Sequence, residues 1–167
     1  MRTSLVLLVL VLVSVFAKAA LAAGGGPTLT KAQVIRRGSH ICQTAERRVD
    51  RLPQIRSQHP FAPNAPKGDK ARAIRFLAGY ADSLQSVRVG LAKLRPPARG
   101  RALLEGFVVE LGPAVGAFRT AHADAMAGRY HAAELRAKQG FSLFERASKK
   151  TRAYGFPKGV CQAGSSG

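Results

Sequence analysis

The chain has 167 residues and a mass of 17.8 kDa, a length that favours one domain over two. Its 27 lysines and arginines outnumber its 9 aspartates and glutamates, which gives a formal net charge of +18 at pH 7. Hydrophobic residues make up 46% of the chain, enough to bury a core, so disorder throughout is excluded. With 8 phenylalanines, 3 tyrosines and no tryptophan, the composition predicts no aromatic-rich ligand pocket.

The first 22 residues have the pattern of a secretory signal peptide. Arg2 supplies a basic start, an apolar run over residues 5–17 is interrupted only by Ser14, and Ala20-Leu21-Ala22 fits the cleavage site. A membrane-spanning helix needs about 20 apolar residues, which this run does not reach, although an uncleaved anchor is the alternative. We therefore predict an exported mature chain that begins at Ala23 and contains no transmembrane span.

The only two cysteines, Cys42 and Cys161, lie near the two ends of the predicted mature protein. The oxidising conditions outside the cytoplasm favour a disulfide between them. Two thiols without histidines at ligand spacing are too few for a metal site. We predict one disulfide that closes the domain, and no bound metal or cofactor.

Apolar residues recur at helical spacing in four long stretches, and no stretch alternates as a β-strand would. Thr30 and Gln33 predict a capping box on a short pre-helix that ends at Gly38. Ser39 then predicts the N-cap of the first long helix, which Pro53 ends. The proline-rich segment 53–68 is predicted to be a loop.

The three remaining helices are predicted to begin near Asp69, Pro97 and Tyr130, with Asp69 as a cap and Gly155 as a left-handed C-terminal cap. Four amphipathic helices with mostly short connections predict an all-α fold, an antiparallel up-down-up-down four-helix bundle over residues 30–161. The segments on either side are predicted to be a flexible linker, residues 23–29, and a disordered tail, residues 162–167.

Candidate catalytic and metal-binding residues are few. His122 falls on the apolar face of the third predicted helix, where a histidine either binds a cofactor or metal or is a hydrogen-bonded core residue. His131-x-x-Glu134 occurs once, in the reverse order of the Glu-x-x-His pairs of di-iron bundles. The sequence has no Gly-x-Ser-x-Gly and no His-Glu-x-x-His motif. We predict a protein that is not an enzyme, with a cofactor or metal site at His122 as the alternative.

The clustered positive charge is the main functional signal. A surface this basic attracts anionic polymers and lipid head groups, whereas export and the scarcity of aromatic residues for base stacking disfavour nucleic acid. The alternative is that an arginine-rich composition reflects a high-GC genome and only solvates the surface. We predict a non-enzymatic protein of the cell envelope or extracellular space that binds anionic cell-wall polymer or phospholipid head groups. The candidate anion-binding residues are Arg36, Arg37, Arg47, Arg48, Arg51, Lys149, Lys150 and Arg152.

Both ends of the predicted bundle resemble a group of exported proteins. Residues 29–35 with Ile41-Cys42, and Tyr154-Gly155-Phe156 with Val160-Cys161, are similar to the two ends of exported helical-bundle proteins of high-GC Gram-positive bacteria. Many members of that group are lipoproteins, and this chain departs from them because it lacks the lipidated cysteine. The group has no assigned activity, so the resemblance implies a helical fold and export only.

Overall fold

The computed structural model describes residues 27–161, which form four α-helices and no β-strand. We number the helices in chain order as α1 (Lys31–Asp50), α2 (Asp69–Ala92), α3 (Arg101–Met126) and α4 (Tyr130–Tyr154). The predicted signal peptide, residues 23–26 of the predicted linker and the predicted tail all lie outside the described residues. Among the four helices, none combines the length and the apolarity that a membrane crossing requires.

Neighbouring helices run antiparallel. Ile41 lies against Gly90 and Leu52 lies against Gly79, so residue numbers rise along α1 as they fall along α2. The same opposed order relates α2 to α3 and α3 to α4, through the pairs Tyr80–Phe118, Arg88–Gly112, Gly106–Lys150 and Phe118–Gly140. The predicted up-down-up-down bundle is therefore confirmed.

α1 is held to the rest of the bundle in two ways. Its apolar side packs on α2, and the segment that follows α4 packs against the same buried side. Along this C-terminal strap (residues 155–161), Phe156 packs on Gly38, and Cys161 lies at disulfide distance from Cys42 with a Cα–Cα separation of 5.2 Å. The predicted closure of the domain by this cysteine pair is confirmed.

α1 is one continuous helix, so the predicted break between a pre-helix ending at Gly38 and a new helix capped by Ser39 is absent. The predicted capping box is present, because Gln33 N–H donates to Thr30 Oγ1 and Thr30 N–H donates to Gln33 Oε1. Gly38 is buried, and an ideal Cβ there would lie 2.6 Å from Cζ of Phe156. This glycine therefore permits close packing of the strap and does not end the helix.

Glycines in the left-handed conformation mark three helix ends. Gly155 has φ 108° and caps the C-terminus of α4, as predicted. Gly68 and Gly100 have φ 86° and 92° and are the N-caps of α2 and α3. α3 consequently begins at Arg101 rather than near Pro97, because the residues before Gly100 form a turn.

We expect Gly38→Ala and Gly116→Ala to have opposite effects on stability. The alanine at position 38 must displace Phe156, and overpacking of this kind typically lowers the free energy of unfolding by about 1–3 kcal/mol. Gly116 lies in α3 with nothing within 4 Å of an ideal Cβ, so its replacement should raise that free energy by roughly 0.5–1 kcal/mol. Urea unfolding of the oxidised proteins measures both, and a shift in the same direction for both would contradict the packing role of Gly38.

Candidate functional site

Five of the eight predicted anion-binding residues share one side of α1. At about 100° per residue, their positions fall within an arc of about 120°, and the face extends about 22 Å along the helix. All five are exposed, whereas the buried residues of α1 lie on its other side. We call these five residues the α1 arginine face: Arg36, Arg37, Arg47, Arg48 and Arg51.

The charge of the α1 arginine face is not neutralised by the described part of the chain. Arg47 donates a hydrogen bond to Thr44 Oγ1 at 3.1 Å, and no carboxylate of residues 27–161 lies within ion-pair distance of the five guanidinium groups. The ion pairs among residues 27–161 are Arg72–Asp69, Arg129–Asp124 and Lys150–Glu110, and they do not involve the α1 arginine face. The five arginines are therefore open to solvent, counterions or an anionic ligand.

The three predicted anion-binding residues of α4 do not form one cluster. Lys150 is half-buried and its Nζ lies 3.0 Å from Glu110 Oε1, so this cation is paired with α3. Lys149 and Arg152 are exposed on α4 and are three residues, about one helical turn, apart. The structure thus places the predicted set as a five-residue face on α1, two exposed cations on α4 and one ion pair between α4 and α3.

His122 is half-buried on α3, next to the fully buried Ala121. Among residues 27–161, no three His, Cys, Asp or Glu side chains come together in a group that could hold a metal ion. His131 is exposed and Glu134 is half-buried on α4. Nothing in the described residues adds to the alternative prediction of a cofactor or metal site at His122.

A cavity of about 250 Å³ lies beneath the loop that joins α1 to α2. Three chain segments form it: the loop, α2 and α4. The side chains of His59, Glu134 and Lys138 contribute polar groups to its lining. Most of the lining is apolar, and its larger members are Ile55, Pro60, Phe61, Phe76, Leu77 and Phe141.

Aromatic rings converge on this cavity, although the composition predicted no aromatic-rich pocket. Tyr80 contacts Phe76, Phe118 and Phe141, with ring centroids 5.5, 4.7 and 5.3 Å apart. Edge-to-face and stacked pairs contribute roughly 0.5–1.5 kcal/mol each beyond the area that they bury. Burial raises the pKa of Tyr80 to about 12. Four rings are therefore in contact beside the cavity, and two of them, Phe76 and Phe141, also line it.

A second aromatic contact fixes the loop itself. Phe61, near the middle of the loop, stacks on Tyr130 at the start of α4 with centroids 5.1 Å apart. Lys70 Nζ lies 4.3 Å from the centroid of the Tyr130 ring, a cation–π contact that adds positive charge near Phe61. The loop is thus attached to α4 by a ring that also lines the cavity.

The other attachment of the loop is Asp69, which is fully buried at the start of α2. Its Oδ2 accepts the Arg56 N–H at 3.1 Å, and its Oδ1 accepts Arg72 Nε at 3.0 Å and Arg72 Nη2 at 2.7 Å. Burial raises the pKa of Asp69, but the hydrogen bonds and charge of Arg72 and the Arg56 N–H outweigh burial and hold that pKa below its usual value. Asp69 was predicted as a helix cap, and it instead ties the loop to α2.

Asp69→Asn should lower the thermal unfolding midpoint at pH 7, and it should make the stability of the fold less dependent on pH under acidic conditions. Because the folded pKa lies below the unfolded value of about 3.9, the carboxylate stabilises the fold above that pH, and the stabilisation is lost as the pH falls through the folded pKa. In thermal unfolding measured from pH 7 down to pH 3, the gap between the midpoints of wild type and variant should become smaller as the pH falls. Asp82→Asn, at an exposed position of the same helix, is the control and should leave the midpoint unchanged. A gap that stays constant over this range would contradict the role of the Asp69 charge.

Comparisons with known proteins returned no relative. No protein-family model, no curated protein and no solved structure matches this chain. The resemblance to exported bundle proteins of high-GC Gram-positive bacteria stays a prediction, and function has to be inferred from the residues of the chain itself.

Proposed function

We propose that the protein is exported and binds anionic polymers or lipid head groups of the cell envelope through the α1 arginine face. The observation that carries the proposal is the set of five exposed arginines in one arc of α1, without a carboxylate partner in residues 27–161. Guanidinium groups bind phosphate and carboxylate through two parallel hydrogen bonds. The high net charge of the chain adds long-range attraction to the same ligands.

The surroundings of the α1 arginine face favour binding by charge over insertion into a membrane. Of the described residues, the exposed large hydrophobic side chains lie on α2, α3 and α4, and α1 has none. An amphipathic helix that enters the lipid interface combines basic residues with exposed apolar ones. Binding through the face should therefore be electrostatic and should weaken as salt screens the charges.

Neutralising three of the five arginines of the face should remove most of the affinity for an anionic surface. The triple variant Arg36→Gln, Arg47→Gln, Arg51→Gln loses three charges near the surface, each worth about 1 kcal/mol, which corresponds to roughly 100-fold weaker binding. Vesicle co-sedimentation, with and without phosphatidylglycerol, measures this change at low and high salt. Polyphosphate in place of vesicles distinguishes a soluble polymer ligand from a lipid one.

The matched control removes the same number of charges from three exposed arginines on the other helices, namely Arg75, Arg119 and Arg136. This variant has the same net charge as the first and should bind almost as well as wild type. An equal loss in both variants would show that net charge alone drives binding. Affinity that does not change between low and high salt would contradict an electrostatic mechanism.

Export predicts the covalent state of the protein in its native host. Protein recovered outside the cell should begin near Ala23, because Ala20-Leu21-Ala22 fits the cleavage site. It should also be two hydrogens lighter than the reduced form, because the 5.2 Å Cα–Cα separation of Cys42 and Cys161 is normal for a disulfide. Intact mass with and without reductant tests both points. Full-length chain in the membrane fraction would indicate an anchor, and two titratable thiols would exclude the bond.

A further inference from the structure

The cavity beneath the loop has one wall made by a long loop that is anchored to α2 and α4. Loops as long as residues 51–68 are uncommon in compact domains and usually have a function. This one is attached at a fully buried carboxylate, Asp69, whose desolvation must be offset by the bonds from Arg56 and Arg72. The space of about 250 Å³ below the loop is partly open to solvent, so a ligand can enter it without unfolding the loop.

The walls of the cavity suit a flat aromatic group. Phe61 comes from the loop, Phe76 from α2 and Phe141 from α4, so rings line three different sides of the space. Phe141 stays 39% exposed despite its ring contacts with Tyr80 and Phe118. A closed cavity of about 150 Å³ holds benzene, and this partly open space of about 250 Å³ has room for a body of about two fused rings. Stacked and edge contacts with the three phenylalanines would bind such a body.

The polar groups of the cavity select the charge of the ligand. Glu134 and Lys138 are one helical turn apart, but the ion pairs of the described residues do not include them, so each can bind another partner. His59 also lines the cavity, and Lys70 lies close by on the Tyr130 ring that stacks on Phe61. Two lysines and a histidine against one carboxylate favour an anionic head group.

We propose that this cavity binds a small aromatic carboxylate. Its ring system lies between Phe61, Phe76 and Phe141, and its carboxylate pairs with Lys138 at the opening. The proposal is independent of the α1 arginine face, because the cavity residues belong to the loop, α2 and α4.

The probe is 2-naphthoate, whose two fused rings match the cavity volume, and its charge-reversed analogue is 2-naphthylmethylammonium. Calorimetric titration of the oxidised protein should show at least 10-fold tighter binding of the carboxylate than of the ammonium compound. The variant with the three glutamines on the α1 arginine face should keep its affinity for 2-naphthoate, which separates this proposal from the previous one. Equal affinities for the two probes, or no binding of 2-naphthoate at millimolar concentration, would overturn the proposal.

Two substitutions locate the site, each with a control. Lys138→Gln, at an exposed position, should lower the affinity for 2-naphthoate about 10-fold and should not lower the affinity for the ammonium compound. The control Lys93→Gln should change neither affinity. Ala137→Leu places a larger side chain in the cavity and should lower the affinity for both probes at least 10-fold. The control Ala92→Leu, on the exposed end of α2, should leave both affinities unchanged. Far-ultraviolet circular dichroism verifies that each variant is folded. Affinity for 2-naphthoate unchanged by Lys138→Gln would overturn the assignment of the carboxylate.

Discussion

The position of α1 depends on the contact between the C-terminal strap and the buried side of α1, where Gly38 lies against both Phe156 of the strap and Leu91 of α2. Phe156 packs on Gly38, and Cys161 joins Cys42 across a sequence separation of 119 residues. In the chain-entropy model, closing a loop of this length stabilises the folded state by about 4–5 kcal/mol, and a typical domain has only about 5–15 kcal/mol in total. The strap and α2 together cover the buried side of α1, and the arginines of this helix lie on its exposed side.

The sequence predicted those features whose signals are local and periodic. The capping box at Thr30, the C-terminal cap at Gly155 and the four amphipathic stretches each depend on neighbouring residues, and each is present in the structure. The glycine at position 38 was misinterpreted because a glycine inside a helical pattern gives the same local signal whether it ends the helix or accepts a close neighbour. Its neighbour, Phe156, lies at the other end of the chain, so no local pattern around Gly38 indicates the contact.

The cavity could not be predicted for a related reason. Composition counts aromatic residues, but it does not report that Phe61, Phe76 and Phe141 meet from a loop and two helices. The fully buried Asp69 also gave a misleading signal, because an aspartate at the start of a helix is usually a cap. The spacing Asp69-x-x-Arg72, directly after a long loop, is the one local feature that points to an anchoring ion pair. Even this feature gives no information about the space beneath the loop.

Three of the nine carboxylates form ion pairs among the described residues, and these pairs help a very basic chain to fold. Asp69 joins the loop to α2, Asp124 binds Arg129 across the turn between α3 and α4 at 2.6 Å, and Glu110 pairs with Lys150 between those helices. Each of these ion pairs lies at a junction between elements. Self-repulsion of the excess positive charge destabilises the compact state, and the junction pairs, the core and the strap oppose it.

One consequence is that these carboxylates do not neutralise the positive charge of the α1 arginine face. On α1 the buried side faces α2 and the strap, and Glu46 and Asp50 fall outside the arc of about 120° that contains the five arginines. The ion pairs of the described residues do not involve that arc. Arginines are exposed on the other three helices as well, for example Arg75, Arg119 and Arg136, but on α1 five of them share one arc. This alignment over about 22 Å of one helix is the basis of the proposed binding of phosphate-bearing or carboxylate-bearing surfaces.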